Sequence, residues 1–252
     1  MTPGEFIEVF DEISEAPGGI ERLRELVLQL AVRGRLVPQN ANEEPAAVLL
    51  ERIREERAQL IRSKQIRPQR HRDPITCSQL KIPEGWKHLY LGDVIDLEYG
   101  KSLPLKDRKD LGDVPVYGSN GVVGKHDVAL VNGPCIVVGR KGSAGAVNIS
   151  RRSCWPIDTT YFVRPYGGMS LKYTSLMLSA ARLEELDRAT AIPGLNREEA
   201  YLRETLLPPL AEQHRIVAKV YELYGLIDRL EQHIVAKREY HEAFAAAATN
   251  IV

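Results

Sequence analysis

The sequence is short of the features that most directly betray an activity. Only three of its 252 residues are cysteine, Cys77, Cys135 and Cys154, and no two of them form a C-x-x-C pair. That spacing excludes a sequence-readable disulfide framework or zinc knuckle and fits a reducing cytoplasm. No apolar run approaches the roughly 18 residues of a membrane span. The acidic start, Met1 to Asp11, has no positively charged n-region, so no secretory signal is expected. There is no G-x-x-x-x-G-K-[ST] and no helix-opening G-x-G-x-x-G to cradle phosphates. A G-x-S-x-G elbow, an H-E-x-x-H pair and a Cys/His metal spacing are missing too. The histidines, His71, His88, His126, His214, His233 and His241, are scattered. Enzyme chemistry and a metal site therefore have no foothold in the sequence.

Net charge is also lacking, with 34 basic residues against 34 acidic ones. The balance hides a sorting along the chain. Residues 1–56 carry 6 Lys/Arg against 12 Asp/Glu, and residues 57–72 carry 6 basic and no acidic residues. Residues 101–182 carry 12 against 5, and residues 183–252 carry 8 against 12. A basic middle between acidic ends suits a DNA-contacting domain with protein-contacting flanks. The plainer alternative is that acidic helices and basic loops sort this way by chance.

The pattern of apolar residues divides the chain into four parts: 1–66 helical, 67–85 a linker, 86–207 mixed α and β, and 208–252 one long helix. Leu23, Leu26, Val27 and Leu30 recur at helical spacing, and Gly34 is a natural stop. A second helix begins near Pro45, a residue tolerated in a first turn, and runs through Val48, Leu49, Ile53 and Leu60 to end before Pro68. Prolines and charges fill the segment up to Trp86. Short β-rich runs at Tyr90–Leu97, Pro134–Val138 and Thr160–Val163 then alternate with glycine turns. A helix is expected at 171–187, with Leu171, Ser175, Leu178, Leu183 and Leu186 on its apolar side. From Pro209 onward Ile216, Val220, Leu223, Ile227, Leu230 and Ile234 step by four and three, the heptad rule. A helix of about 40 residues spans about 60 Å at 1.5 Å per residue, so its seam needs a partner helix, from this chain or another. The fold class is thus α+β, a mixed domain of normal size flanked by long helices.

Glycine-rich loops in the basic middle carry the polar residues. Tyr117, Ser119 and Asn120 stand among Gly118, Gly121 and Gly124, and Arg140, Lys141 and Ser143 stand among Gly139, Gly142 and Gly145. Glycines let a backbone approach a phosphate closely, while such side chains can meet phosphates or base edges.

Taken in order, these pieces resemble the specificity (S) subunit of type I restriction–modification systems. The resemblance rests on Trp86 with Leu91-Gly92-Asp93-Val94, then Tyr117-Gly118-Ser119-Asn120-Gly121, then Gly139-Arg140-Lys141-Gly142. It continues through Asp158-Thr159-Thr160 and Ala191-Ile192-Pro193-Gly194-Leu195-Asn196. Its most specific string is Leu207-Pro208-Pro209-Leu210-Ala211-Glu212-Gln213-His214-Arg215-Ile216-Val217. Residues 22–57 are similar to the other helical region of the family. A full-length member has two target-recognition domains; this sequence has one and looks like a half-subunit.

The resemblance implies a non-catalytic reader of double-stranded DNA in the cytoplasm. Its partners would be a modification (methyltransferase) subunit carrying S-adenosylmethionine and a restriction subunit using ATP and Mg, and it would hold no cofactor or metal of its own. DNA contacts are expected at Lys101, Tyr117, Ser119, Asn120, Lys125, Arg140, Lys141 and Ser143. The seam residues Ile216, Val220, Leu223, Ile227, Leu230 and Ile234 are expected at a dimer or subunit interface, with two copies rebuilding a bipartite reader. A coiled-coil regulatory protein without its own DNA target, and a methyltransferase or nuclease, are the competing classes.

Overall fold

A computed structural model describes residues 16–75, 81–109, 111–189 and 194–249. Cys77, the acidic start to Asp11 and Ala191–Pro193 lie outside the described residues. In chain order the helices are α1 (Gly19–Val32), α2 (Ala46–Arg62), α3 (Leu171–Ala180), α4 (Arg197–Tyr201) and α5 (Leu210–Thr249). The strands are β1 (Lys87–Tyr90), β2 (Glu98–Tyr99), β3 (Val114–Gly118), β4 (Gly121–His126), β5 (Cys135–Gly139), β6 (Val147–Ser150), β7 (Trp155–Pro156), β8 (Thr160–Val163) and β9 (Glu204–Leu207). The α+β class is as expected.

Helix α1 stops where glycine permits it. Gly34 has φ +66°, and the amides of Gly34 and Arg35 turn back to the carbonyls of Ala31 and Leu30. This double closure is the Schellman motif. A Cβ on Gly34 would also stand 2.5 Å from Pro83 Cγ. The buried residues of α1 are Ile20, Leu23, Leu28 and Ala31; of the expected set Leu23 is buried, Val27 and Leu30 are half-buried, and Leu26 is exposed. On α2 the buried residues are Ala46, Leu49, Leu50 and Ile53, while Val48 is exposed.

A four-stranded antiparallel sheet, ordered β2-β8-β5-β6, forms the centre of the mixed region. Strands β5 and β8 are covered on both faces, which is why their sequences read as continuous apolar runs instead of alternating. Ile136, Val138, Tyr161 and Val163 face the main core with α3. Cys135, Val137 and Phe162 face a smaller cluster with Val131 and Cys154. The two cysteines, far apart in sequence, thus meet in space: their Sγ atoms lie 3.4 Å apart as buried free thiols. The hydrogen bond to Cys154 and burial together push the Cys135 thiol up. A second sheet, β4-β3-β7, carries the β3–β4 hairpin, with an irregular register between Val116 and Tyr117.

Two expected elements differ. The run Tyr90–Leu97 is not a strand: β1 ends at Tyr90 and a 3₁₀ turn follows at Leu91–Asp93, where Asp93 accepts the Tyr90 amide at 3.0 Å. The helix expected at 171–187 breaks at Arg182, which has φ +49°, and resumes as 3₁₀ turns at Leu183–Ala189.

Strands β1 and β9 pair antiparallel and bring the two ends of the mixed region together. The chain then enters α5, whose first turns are tied to everything around them. Glu212 is buried and accepts from the Trp86 indole at 2.9 Å and from the Gln39 amide at 3.3 Å. Gln213 accepts the Ser170 amide at 3.1 Å, at the start of α3, and donates to the Pro208 carbonyl. Arg215 pairs with Glu43 and donates to the Pro38 carbonyl. Burial lifts the Glu212 carboxyl above the usual range, and its two donors offset this only in part.

One core accordingly runs through the expected divisions, from Leu28 and Leu49 through Trp86 and Tyr173 to Ile216 and Val220. Farther along, α1 and α5 pack antiparallel. Ile20 and Leu23 meet Ile227, with Leu230 and Ile234 partly buried beside them. Arg24 bridges to Asp228 at 2.7 Å and to Glu231 at 2.9 Å. Part of the heptad seam therefore finds its partner helix within the same chain.

Glu212→Ala is expected to leave the buried Trp86 indole without an acceptor, at a cost of about 1–3 kcal/mol. Thermal melting should show a fall of roughly 2–4 °C per kcal/mol; an unchanged midpoint would contradict the structural role given to this carboxylate.

Candidate nucleic-acid interface

The motif loops that are separated in sequence converge at one end of the two sheets. The β3–β4 hairpin turns at Ser119 and Asn120, and its tip rests on the loop that follows β5. The Ser119 hydroxyl points at the carbonyls of Lys141 and Thr159, the latter at 2.9 Å. Thr159 also accepts the backbone amides of Arg140 and Lys141, at 2.9 and 3.1 Å. Leu195 donates its amide to the Arg140 carbonyl at 2.8 Å, and its own carbonyl accepts from Tyr161 at 3.1 Å. Asn196 then caps α4 by accepting the Glu198 amide at 3.0 Å. Segments 117–121, 139–145, 158–160 and 194–196 are one hydrogen-bonded unit.

Gly139 is required by close packing. A Cβ there would lie 2.0 Å from the Ser143 carbonyl oxygen and 3.0 Å from that of Ser119. The loop that presents Arg140 to Ser143 therefore folds directly against the strand that launches it.

The eight expected contact residues fall into two groups. Lys101, Asn120, Lys125, Lys141 and Ser143 are exposed, with side chains on the surface. Tyr117, Ser119 and Arg140 are half-buried and already engaged. Ser119 holds the two loops together as described, and Tyr117 packs beside the Val137 and Phe162 cluster. Arg140 donates from Nε and Nη2 to the Asp158 carbonyl, at 3.1 and 2.8 Å. Its guanidinium lies 5.4 Å from the Tyr99 ring and 6.0 Å from that of Tyr161. Lys101 is placed through its backbone, with its amide on the Pro156 carbonyl and its carbonyl taking the Trp155 indole at 2.8 Å.

Sequence reasoning missed Tyr99 and Arg197. Tyr99 is 53% exposed, and its ring receives Arg140 at 5.4 Å and Arg197 at 5.3 Å. Nothing in the local sequence announces this, because the three residues come from β2, the loop after β5 and α4. Val122 and Val123 on β4 are also exposed, an apolar surface beside the hairpin tip. Among the described residues no cluster of His, Cys, Asp and Glu could hold a metal ion, and no helix is long and apolar enough to cross a membrane.

Of the seam residues, Ile216 and Val220 are fully buried in the chain's own core and have no surface left for a second chain. Ile227 is also buried, against α1, while Leu223, Leu230 and Ile234 keep part of their surface.

A loop-bearing α+β domain, clamped between an N-terminal helical pair and one long C-terminal helix, has clear relatives. The family described as type I restriction modification DNA specificity domain matches residues 83–237, and the chain belongs to that family. It is 30% identical over 260 residues to the specificity subunit of the type I restriction enzyme EcoAI of Escherichia coli, and 28% identical to that of EcoEI. Those alignments cover 89% of this chain but 43% and 42% of the two subunits, so the chain spans less than half their length. The fold matches a solved chain from a study of complex assembly and conformational transition of the type I R-M system. That match has a TM-score of 0.55 and 18% identity over 80% of this chain and 55% of that one. It also matches the S subunit from M. genitalium, with a TM-score of 0.51 and 15% identity over 95% of this chain and 57% of that one.

Gly139→Ala is expected to force the 139–145 loop off its strand and to cost about 1–3 kcal/mol by overpacking. A melting midpoint equal to that of the unaltered chain would show that the loop is not held as described.

Proposed function

We propose that this chain is the DNA-reading half of a type I specificity subunit, and that two copies pair to recognise a bipartite target. The observation that carries the reading is the family match across the mixed region and most of α5, in a chain that spans 43% of its EcoAI relative. One recognition domain reads one half-site, so a complete reader needs a second. Closed two-fold pairing then makes the target an inverted repeat with a fixed gap.

In this reading the chain selects the site and performs no chemistry. A modification subunit carrying S-adenosylmethionine and a restriction subunit using ATP and Mg act where it binds. The reader works by positioning: lysines and arginines hold phosphates, and polar loop residues meet base edges. Division of labour among the loop residues supports this. Ser119, Arg140 and the Thr159 carbonyl fix the backbone, leaving Asn120, Lys141 and Ser143 as tips that can vary without disturbing the frame. A second copy would use what α5 still exposes. Leu226, Val235 and Tyr240 are 46%, 49% and 70% exposed; Leu226 lies just before the Arg24 bridges at Asp228 and Glu231, and Val235 and Tyr240 lie past them. The interface is therefore drawn at these positions and at the partly covered Leu223, Leu230 and Ile234.

Charge reversal tests the division. Lys141→Glu should weaken duplex binding on the order of tenfold while leaving the melting midpoint within the ±0.5 kcal/mol usual for surface changes. Arg140→Glu should lower both, because it also breaks the Asp158 contacts. Equal affinities for all three proteins would remove these residues from the DNA face. Light scattering should give a dimer, alone or with modification subunits; a monomer in both states would refute the pairing.

A further inference from the structure

The acid-free run at 57–72 lies outside the loops considered so far. Two of its arginines have structural work: Arg57 pairs with the buried Asp96, and Arg72 with Asp93. The other four cations, Arg62, Lys64, Arg67 and Arg70, are exposed, and none joins an ion pair among the described residues. Exposed, unpaired cations concentrated in one stretch leave an uncompensated positive field.

Arg67 and Arg70 line a groove of about 570 Å³ together with Tyr99, Arg197 and Tyr201. The groove also contains acids, and each is already matched. Asp96 receives Arg57, Gln69 and the Tyr166 hydroxyl. Glu98 receives Arg164 at 2.7 Å, and Glu198 lies 3.6 Å from Arg197. What remains unmatched in the groove is positive.

The groove is also continuous with the reading loops. A stack of alternating rings and guanidiniums runs from Arg72 over Tyr201, through Arg197, to Tyr99 and Arg140. Tyr99 meets both Arg197, which lines the groove, and Arg140, which opens the 139–145 loop.

We propose that the 62–70 segment and its groove bind the sugar–phosphate backbone of the same duplex, flanking the bases that the loops read. This rests on the DNA-reading function proposed above and adds a contact surface to it. The contact is independent of sequence: it raises affinity and fixes register but does not alter which bases are chosen. The mixed-sign groove excludes an apolar occupant, and the unpaired cations call for an anionic one.

The test compares the unaltered chain with the double variant Arg67→Gln, Arg70→Gln, using a fluorescent 40-base-pair duplex pool of random sequence titrated at several salt concentrations. Each phosphate contact contributes about 0.9 to the slope of log affinity against log salt, so the variant slope should be shallower by about one to two. The melting midpoint should not move, because neither side chain has a partner to lose. An unchanged slope, in a chain that otherwise binds duplex, overturns this proposal and leaves the reading function standing. A variant that keeps its slope but no longer assembles with modification subunits makes the segment a protein contact and overturns it equally. No duplex binding by the unaltered chain would overturn both.

Discussion

The buried pair Glu212–Gln213 at the head of α5 is the constraint on which the rest of the molecule depends. Glu212 reaches the Trp86 indole and the Gln39 side chain; Gln213 reaches Ser170 and Pro208. Four distant parts of the chain thus meet within two residues: the connector after α1, the entrance to the mixed region, the start of α3 and the turn after β9. A buried carboxylate is costly unless its acceptors are occupied, so the Trp86 and Gln39 donors offset part of the cost of burying Glu212. The result fixes the direction in which α5 leaves the domain, and with it the antiparallel partnership with α1 that Arg24 secures. For a proposed half-reader the exit direction of that helix sets the distance between two recognition domains.

The end proposed to read DNA is built on the opposite logic. Its frame uses backbone atoms: the Thr159 carbonyl collects two amides and a hydroxyl, and the Arg140 carbonyl takes the Leu195 amide. Side chains at the tips are then free of structural duty. In such a frame, exchanging the side chains of Asn120, Lys141 or Ser143 disturbs no buried hydrogen bond. Tyr99 extends the frame sideways, joining the tips to the proposed phosphate-tracking groove through a stack of rings and guanidiniums.

Much of this was legible before the structure. The α+β class, the stop at Gly34, the cores of β5 and β8 and the long C-terminal helix all follow from periodicity and turn chemistry. The failures have physical causes. Leu26 and Leu28 lie on nearly opposite sides of α1, and periodicity alone cannot choose between them when α1 packs on both the domain and α5. The run 90–97 is apolar enough for a strand, but Asp93 captures the Tyr90 amide and turns the chain. The heptad at 216–234 is real, yet most of it faces the core and α1, because a repeat announces a buried stripe without naming what buries it. The meetings of Tyr99 with Arg140 and Arg197, and of Cys135 with Cys154, depend on tertiary pairing and leave no local trace.

The central claim, that this chain chooses a DNA sequence by pairing two identical readers, is tested most directly by a methylome. The chain would be expressed with its companion modification subunit in a methylation-free host, and the genome sequenced with detection of modified bases. The account predicts an interrupted palindrome that vanishes when this chain is omitted. An asymmetric bipartite motif would contradict the pairing of identical copies, and no modification from an assembled complex would contradict the reading function itself.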